Sequence, residues 1–291
     1  MQTDVAILPV DFLTIGHVCL DVVPGGFVIG GAAAYTASVA KVMGFRVGIV
    51  TSAAEVDGWG DDLAGIAIHT VNSAATTVFE NVYTPSGRIQ TIHAVAGDLT
   101  VSHIPSIWTR TPVVFIGPIA NEVDSALIEY FSNSLVGVGP QGWMRRWDER
   151  GHVYKVGWES AEVTLPKAAV TFLSREDLPN SQLIENYSRL AKILVITDGP
   201  KGCDVFTQGE TRHFPAPAVT AVDSTGAGDI FATAYLLRLY QTNGDFWAAA
   251  EFANQVAARS VTCRGLPDKM IAIRDFVDEH FNRTGDTVHQ A

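Results

Sequence analysis

Short, mostly apolar runs separated by helix-length stretches constrain this chain more than any other feature. Phe12-Leu-Thr-Ile15, Arg46-Val-Gly-Ile-Val50, Val113-Val-Phe-Ile116, Ala169-Val-Thr-Phe-Leu173 and Ile193-Leu-Val-Ile-Thr197 lack the polar alternation of a strand with one wet face. Strands buried on both faces read this way, and they occur in parallel sheets covered by helices. Helices are predicted over 32–43, near 122–132 and 180–191, and near 227–241, 245–263 and 270–281, with Gly44 stopping the first. Asp61 and Asp62 suit the first turn of a further helix from Leu63 to His69. The alternation predicts an α/β fold with a mainly parallel sheet.

Residues 75–95 break that rhythm. Thr76–Tyr83 and Arg88–His93 carry β-branched and aromatic residues around Thr84-Pro-Ser-Gly87, which is turn chemistry. A hairpin is expected here, as a lid or small flanking sheet. No composition break forces a second domain, so residues 1–291 are expected to form one.

Composition excludes several functions. A formal net charge of −11 and a pI near 5.1 make the chain a poor candidate for sequence-independent nucleic-acid binding and argue against docking on an anionic membrane surface. Cys19, Cys203 and Cys263 are scattered and form no C-x-x-C, so no zinc ribbon or dithiol motif can be written. No apolar run reaches the roughly 18–20 residues of a membrane span. No basic segment followed by a long apolar one opens the sequence. A reducing, cytoplasmic setting is expected.

The chemistry concentrates in Val222-Asp-Ser-Thr-Gly-Ala-Gly-Asp-Ile-Phe231. Gly226, Ala227 and Gly228 open an apolar helix, which leaves backbone N–H groups free for an anion and adds the helix dipole. Asp229 sits in the same turn. Donors for a moving phosphoryl group beside a carboxylate for a hydroxyl proton suit phosphoryl transfer. The same residues also serve capping and close helix packing. A Walker A loop is absent, and a Rossmann fingerprint would need glycine where Phe231 stands. Two more sites stand out. Gly30-Gly31 opens helix 32–43, with Asp21 just upstream, past the first strand. Thr197-Asp-Gly-Pro-Lys-Gly202 turns directly after a buried strand.

These segments, in this order, resemble the ribokinase-like (PfkB) carbohydrate kinase family over about residues 11–280. Asp223–Asp229 is similar to its C-terminal signature and Gly30–Gly44 to its N-terminal one. Gly16–Asp21 resembles its first strand and substrate-facing Asp, and Thr197–Gly202 its nucleotide loop. Phe252–Gln255 through Thr262–Gly265 resembles its adenine-side helix.

The resemblance implies a three-layer α/β/α sandwich with a β lid and an ATP- and Mg²⁺-dependent phosphotransferase. It casts Asp229 as catalytic base and Gly226, Ala227 and Gly228 as anion hole. Asp21, Gly30 and Gly31 would face the acceptor, and Thr197, Gly199, Gly202 and Asn254 the nucleotide. Ser174-Arg-Glu-Asp177 stands at the family's metal-organising motif, so Glu176 or Asp177 would order a Mg²⁺-bound water.

Tyr35 replaces the Asn of sugar-binding members. Only eight residues lie between Asp21 and Gly30, where fuller lids insert a strand pair, so a reduced lid is expected, and with it a monomer or a dimer not built on the lid. Tyr35 and the short lid, with Phe79–Tyr83 and Arg88-Ile-Gln90, resemble the inositol-kinase branch. Arg88 and Gln90 share one strand face and could reach polyol hydroxyls. The acceptor implied is a small neutral sugar or polyol. Alternatives are a nucleoside kinase, with Trp59, Phe79, Tyr83 and Tyr35 stacking on a base, and a non-catalytic small-molecule binder.

Overall fold

A computed structural model describes residues 8–54, 59–84 and 87–284; the side chains of 83–88 and 282–284 lie outside that description. In chain order the elements are β1 (Phe12–Ile15), β2 (Cys19–Val23), β3 (Gly26–Gly30), α1 (Ala32–Val42), β4 (Val47–Ala53), β5 (Ala67–Asn72), β6 (Val78–Thr84) and β7 (Gly87–Ala94). Then come β8 (Val113–Ile116), α2 (Ala126–Tyr130), β9 (Leu135–Val138), β10 (Arg145–Trp147), β11 (Val153–Lys155), α3 (Ala161–Thr164), β12 (Val170–Ser174) and α4 (Gln182–Leu190). The last third holds β13 (Ile193–Thr197), β14 (Cys203–Thr207), β15 (Glu210–Phe214), α5 (Ala227–Gln241), α6 (Phe246–Ser260) and α7 (Gly265–Thr284).

The main sheet has nine strands in the order β15-β14-β13-β12-β9-β8-β1-β4-β5. Every pair from β13 to β5 is parallel, and β14 and β15 add antiparallel strands at one edge. All five apolar runs of the sequence are strands of this sheet. Their continuous hydrophobicity follows from two covered faces. Val113 and Phe115 of β8 pack in the core beneath α1, α5, α6 and α7, while Val114 and Ile116 pack in the core beneath α2, α3 and α4. The α/β/α sandwich is therefore present. Each such side chain contributes about 1.5–3 kcal/mol by leaving water.

Helix ends follow local chemistry. Asn243 and Gly244 close α5 with N–H bonds to Tyr240 O (3.2 Å) and Leu239 O (2.9 Å), a Schellman arrangement with Asn243 at φ 51°. Asp245 then caps α6, accepting from Trp247 N and Ala248 N.

Two expectations need correction. Residues 63–69 do not form a helix. Asp61–Leu63 make a single 3-10 turn, Gly65 takes φ 73°, and the chain enters β5, paired in parallel with β4. The 21–30 segment is also not too short for a strand pair. β2 and β3 form a hairpin there, with Val23 opposite Gly26. Pro24-Gly25 makes this possible, since Pro fixes the first turn position and Gly25, at φ 91°, accepts the second. The expected 75–95 hairpin exists as β6–β7, although Pro85 and Ser86 lie outside the described residues. The lid is thus a four-stranded sheet, β3-β2-β6-β7.

The lid is rooted in a buried polar knot. The His17 ring bonds Gly97 O through Nε2 (2.9 Å) and Thr77 Oγ1 through Nδ1 (2.8 Å), and Thr77 Oγ1 accepts from Ala96 N (2.9 Å). The buried Glu122 carboxylate accepts from the amides of His17, Ile119 and Ala120. These contacts hold together the points where the chain enters and leaves the lid.

Candidate active site

The site gathers at the carboxyl ends of the parallel strands, where α/β sheets bind ligands. α5 begins at Gly226, in the left-handed conformation at φ 73°, and no side chain caps the helix. A Cβ on Gly228 would meet nothing within 4 Å. The space beside this helix start is therefore open, as an anion site requires, although the Ala227 amide does not face it freely: it donates to Ser224 O (3.1 Å). Asp229 stands in the first turn of α5. Burial lifts its carboxyl to about 7, with the nearby Asp177 also raising it and Arg145 opposing. Part of the residue remains open to the cleft. A carboxylate at that value suits a general base near neutrality.

On the lid, Asp21 belongs to β2. Asn81 Nδ2 donates to Asp21 Oδ1 (3.3 Å), and Gln90 Nε2 donates to Asn81 Oδ1 (2.9 Å). A row of polar groups thus crosses β7, β6 and β2 on one face. Gly30 makes room for it, because a Cβ there would stand 2.1 Å from Asp21 Oδ2. Gly31 combines φ 90° with a Cβ position 2.5 Å from His17 O. Both glycines thus let the chain entering α1 lie close against the His17–Asp21 segment. Arg88 pairs with Tyr83 across the hairpin, and its side chain lies outside the description.

A cavity of about 80 Å³ opens beside this row, lined by Gln90, Gln141, Arg145, Lys155 and Asp177 among others. Gln141 Nε2 donates to both Asp177 oxygens (3.2 and 3.0 Å). Arg145 is buried, donates to Ile119 O (3.2 Å) and lies 5.9 Å from the Phe79 ring centroid. Asp177 therefore lines the cavity and lies near enough to Asp229 to raise its carboxyl. Glu176 points outward, and its backbone oxygen accepts from Lys155. Asn81, Gln141 and Arg145 are site residues the sequence did not single out. The Phe79–Tyr83 segment held the signal for Asn81, while Gln141 and Arg145 follow β9, a strand without a clear pattern.

The remaining candidates divide. Thr197 ends β13 opposite Ser174, so the 197–202 turn neighbours the 174–177 segment. Gly199 at φ 52° faces open space. Gly202, at φ 101°, would drive a Cβ to 1.9 Å from Phe214 O. Asn254 is buried and donates to Phe214 O (3.0 Å) and Cys203 Sγ (3.6 Å), so its amide ties α6 to the sheet edge. Tyr35 does not face the lid cavity. It is buried against Gly226, and its hydroxyl is pushed up by burial and by Asp223, Asp21 and Asp229. Trp59 and Phe79 are also buried, which removes two of the rings available to stack on a base.

Among the described residues no group of three His, Cys, Asp or Glu could hold a metal by itself. One carboxylate fits an ion brought on a polyphosphate, since Mg²⁺ is usually held by one or two carboxylates together with substrate phosphates. Nor is any helix of these residues long and apolar enough to cross a membrane.

Residues 170–271 match the family model for pfkB family carbohydrate kinases. Probable fructokinase-5 of Arabidopsis thaliana is 35% identical over 117 residues, covering 37% of this chain and 36% of that protein. The match thus spans about a third of such plant fructokinases. A cytidine kinase of Thermococcus kodakarensis is 27% identical over 248 residues, 78% of this chain and 87% of the relative. The solved structure of a pyrophosphate-dependent kinase in the ribokinase family, complexed with a pyrophosphate analog and myo-inositol, superposes with a TM-score of 0.74 at 21% identity, over 89% of this chain and 98% of that one. The 170–271 match takes in the 197–202 turn, the Gly226 helix start and Asp229, so this part of the chain is similar to pfkB family carbohydrate kinases, and the whole chain has the fold of the ribokinase-family structures.

Proposed function

We propose that the protein is an ATP-dependent kinase that phosphorylates a hydroxyl of a small neutral sugar or polyol. The observation that carries this reading is Asp229, lifted to about 7 in the first turn of an uncapped helix. Asp229 takes the acceptor proton as the hydroxyl oxygen attacks the γ-phosphorus. The bond from that phosphorus to the bridging oxygen breaks, and ADP leaves. The amides of Gly226 and Gly228 hold the charge on the moving group, the Ala227 amide being engaged by Ser224 O. Mg²⁺ on the nucleotide would supply charge neutralisation, with Asp177 holding one of its waters. Thr197, Gly199 and Gly202 would border the nucleotide, and Asn254 would fix the floor beneath it.

The Gln90-Asn81-Asp21 row favours an acceptor with several hydroxyls. An amide and a carboxylate side by side accept and donate across neighbouring hydroxyls. An inositol-like ring suits it, as the myo-inositol complex of a similar fold suggests. A nucleoside acceptor is the second reading, favoured by the cytidine kinase relative.

The test is product release with ATP and Mg²⁺ against inositols, sugars and nucleosides, with pyrophosphate as a second donor arm and Asp229→Asn as control. Turnover dependent on a polyol and lost in the variant supports the reading. Turnover on nucleosides alone transfers it to the second. Nucleotide binding with no acceptor-dependent turnover would instead describe a binder.

A further inference from the structure

Lys269 lies in α7 and has no exposed surface. Its ammonium points into the loop before α5. It donates to the backbone oxygens of Asp223 (2.6 Å) and Thr225 (2.9 Å), and it lies 3.5 Å from Asp223 Oδ2. An ammonium has three protons to give, and three oxygens of one short loop surround it. Burying such a charge is costly, and burial pulls the Lys269 pKa down while Asp223 holds it up. Two carbonyls alone could be satisfied by neutral donors, so the charge itself calls for an explanation.

The loop has other anchors. Val222 N and Asp223 N donate to Val261 O at the end of α6 (2.7 and 3.1 Å). Asp223 accepts from Thr225 N (2.9 Å) through Oδ1 and from Gly265 N (3.2 Å) through Oδ2. Together with Lys269 these bonds outweigh the burial of Asp223 and keep its carboxyl below its ordinary value. The ammonium thus sits where two backbone oxygens and a carboxylate converge. Thr225 leads directly into Gly226, so displacing its carbonyl turns the amides that open α5.

We infer that Lys269 is a positioning residue: a tethered cation that gathers the Asp223 and Thr225 carbonyls and so aims the turn that opens α5 at the phosphoryl group. The role rests on the kinase reading of that helix start. It implies that a free cation can replace the tethered one once the side chain is shortened.

Lys269→Ala leaves a space the size of a small amine, and Lys269→Met fills it without charge. Both should lower kcat about 10²-fold with little change in acceptor KM, as a misaimed site does. Methylammonium, ammonium or K⁺ should restore Lys269→Ala about tenfold, leave Lys269→Met unrescued and leave the wild type unchanged. Full activity of Lys269→Met, or an alanine variant deaf to every cation, overturns the inference. Should both variants fail to fold, Lys269→Arg against Lys269→Gln asks the same of charge: activity in the first only supports it, and equal activity overturns it.

If the wild type turns over no substrate, amide hydrogen exchange at residues 224–229 separates the two ideas. Protection lost in Lys269→Ala and regained with methylammonium upholds the positioning role while the kinase reading fails. Unchanged protection overturns the positioning role.

Discussion

A methyl group on Gly226 would stand 2.4 Å from Cδ1 of Tyr35, so the turn that opens α5 lies directly on the tyrosine ring. Tyr35 comes from α1, next to Gly31, and this contact joins the two glycine signatures of the chain. Gly226→Ala should therefore combine left-handed strain with a clash, costing about 1–3 kcal/mol of stability and most of kcat. Adding Tyr35→Ala should relieve the clash but not the strain. Thermal melting of both single variants and the double variant checks this: Tyr35→Ala alone empties buried space, so with the contact present the double variant should lose less than the sum of the two single losses, and losses that simply add would refute the contact.

The acid limb of kcat should lie near pH 7, because the base works only when ionised and Asp229 holds its proton to about that value. Asp229→Asn should abolish turnover. A pH–rate profile with its acid limb near 4 would show that Asp229 is not the base.

The same carboxyl affects stability with a definite sign. Folded, it is protonated up to about 7; unfolded, only to about 3.8. Between those values the unfolded chain binds fewer protons, so stability falls as pH rises. Asp229→Asn should match the wild type at pH 4 and melt several degrees higher at pH 8, at about 2–4 °C per kcal/mol. Melting curves at the two pH values decide it.

Asn81→Ala interrupts the row from Gln90 to Asp21 without touching the helix start. Acceptor KM should rise about tenfold, near the 1.4 kcal/mol of a lost polar contact, while ATP KM stays put. Equal changes in both constants would place Asn81 outside acceptor recognition.

Glu122→Ala removes the acceptor for three buried amides at the root of the lid. Buried donors left unpaired cost about 1–3 kcal/mol each, so the loss should be among the largest of any single change. Glu122→Gln keeps part of the pattern and should melt between the alanine variant and the wild type.

Legibility followed how local the physics was. The five central strands show in the sequence because both faces are buried. β9 hides because Gly137 interrupts Leu135-Val-Gly-Val138, where Leu236 and Phe172 fill the space. β14 and β15 mix polar residues because they form an edge. The 63–69 helix is an expectation from two carboxylates, Asp61 and Asp62, that stand in a single 3-10 turn without capping it, before Gly65 bends the chain away. The Gly226–Asp229 turn is readable because all its parts lie within four residues. Arg145 and Lys269 meet the site only through tertiary contacts, from stretches with no distinguishing spacing, whereas Asn81 lies in the Phe79–Tyr83 segment that the sequence does mark.

The bonds from Lys269 to Asp223 and Thr225 also order events during synthesis. N-terminal parts of a chain fold first as they emerge. The sheet, the lid and the α5 turn are therefore available before α7 reaches them with its ammonium. A nascent chain stopped between residues 241 and 269 carries the base and its helix but lacks the charge that aims them. The turn that opens α5 thus acquires its buried cation only with the last of the described helices, and an interrupted translation product would carry that turn without it.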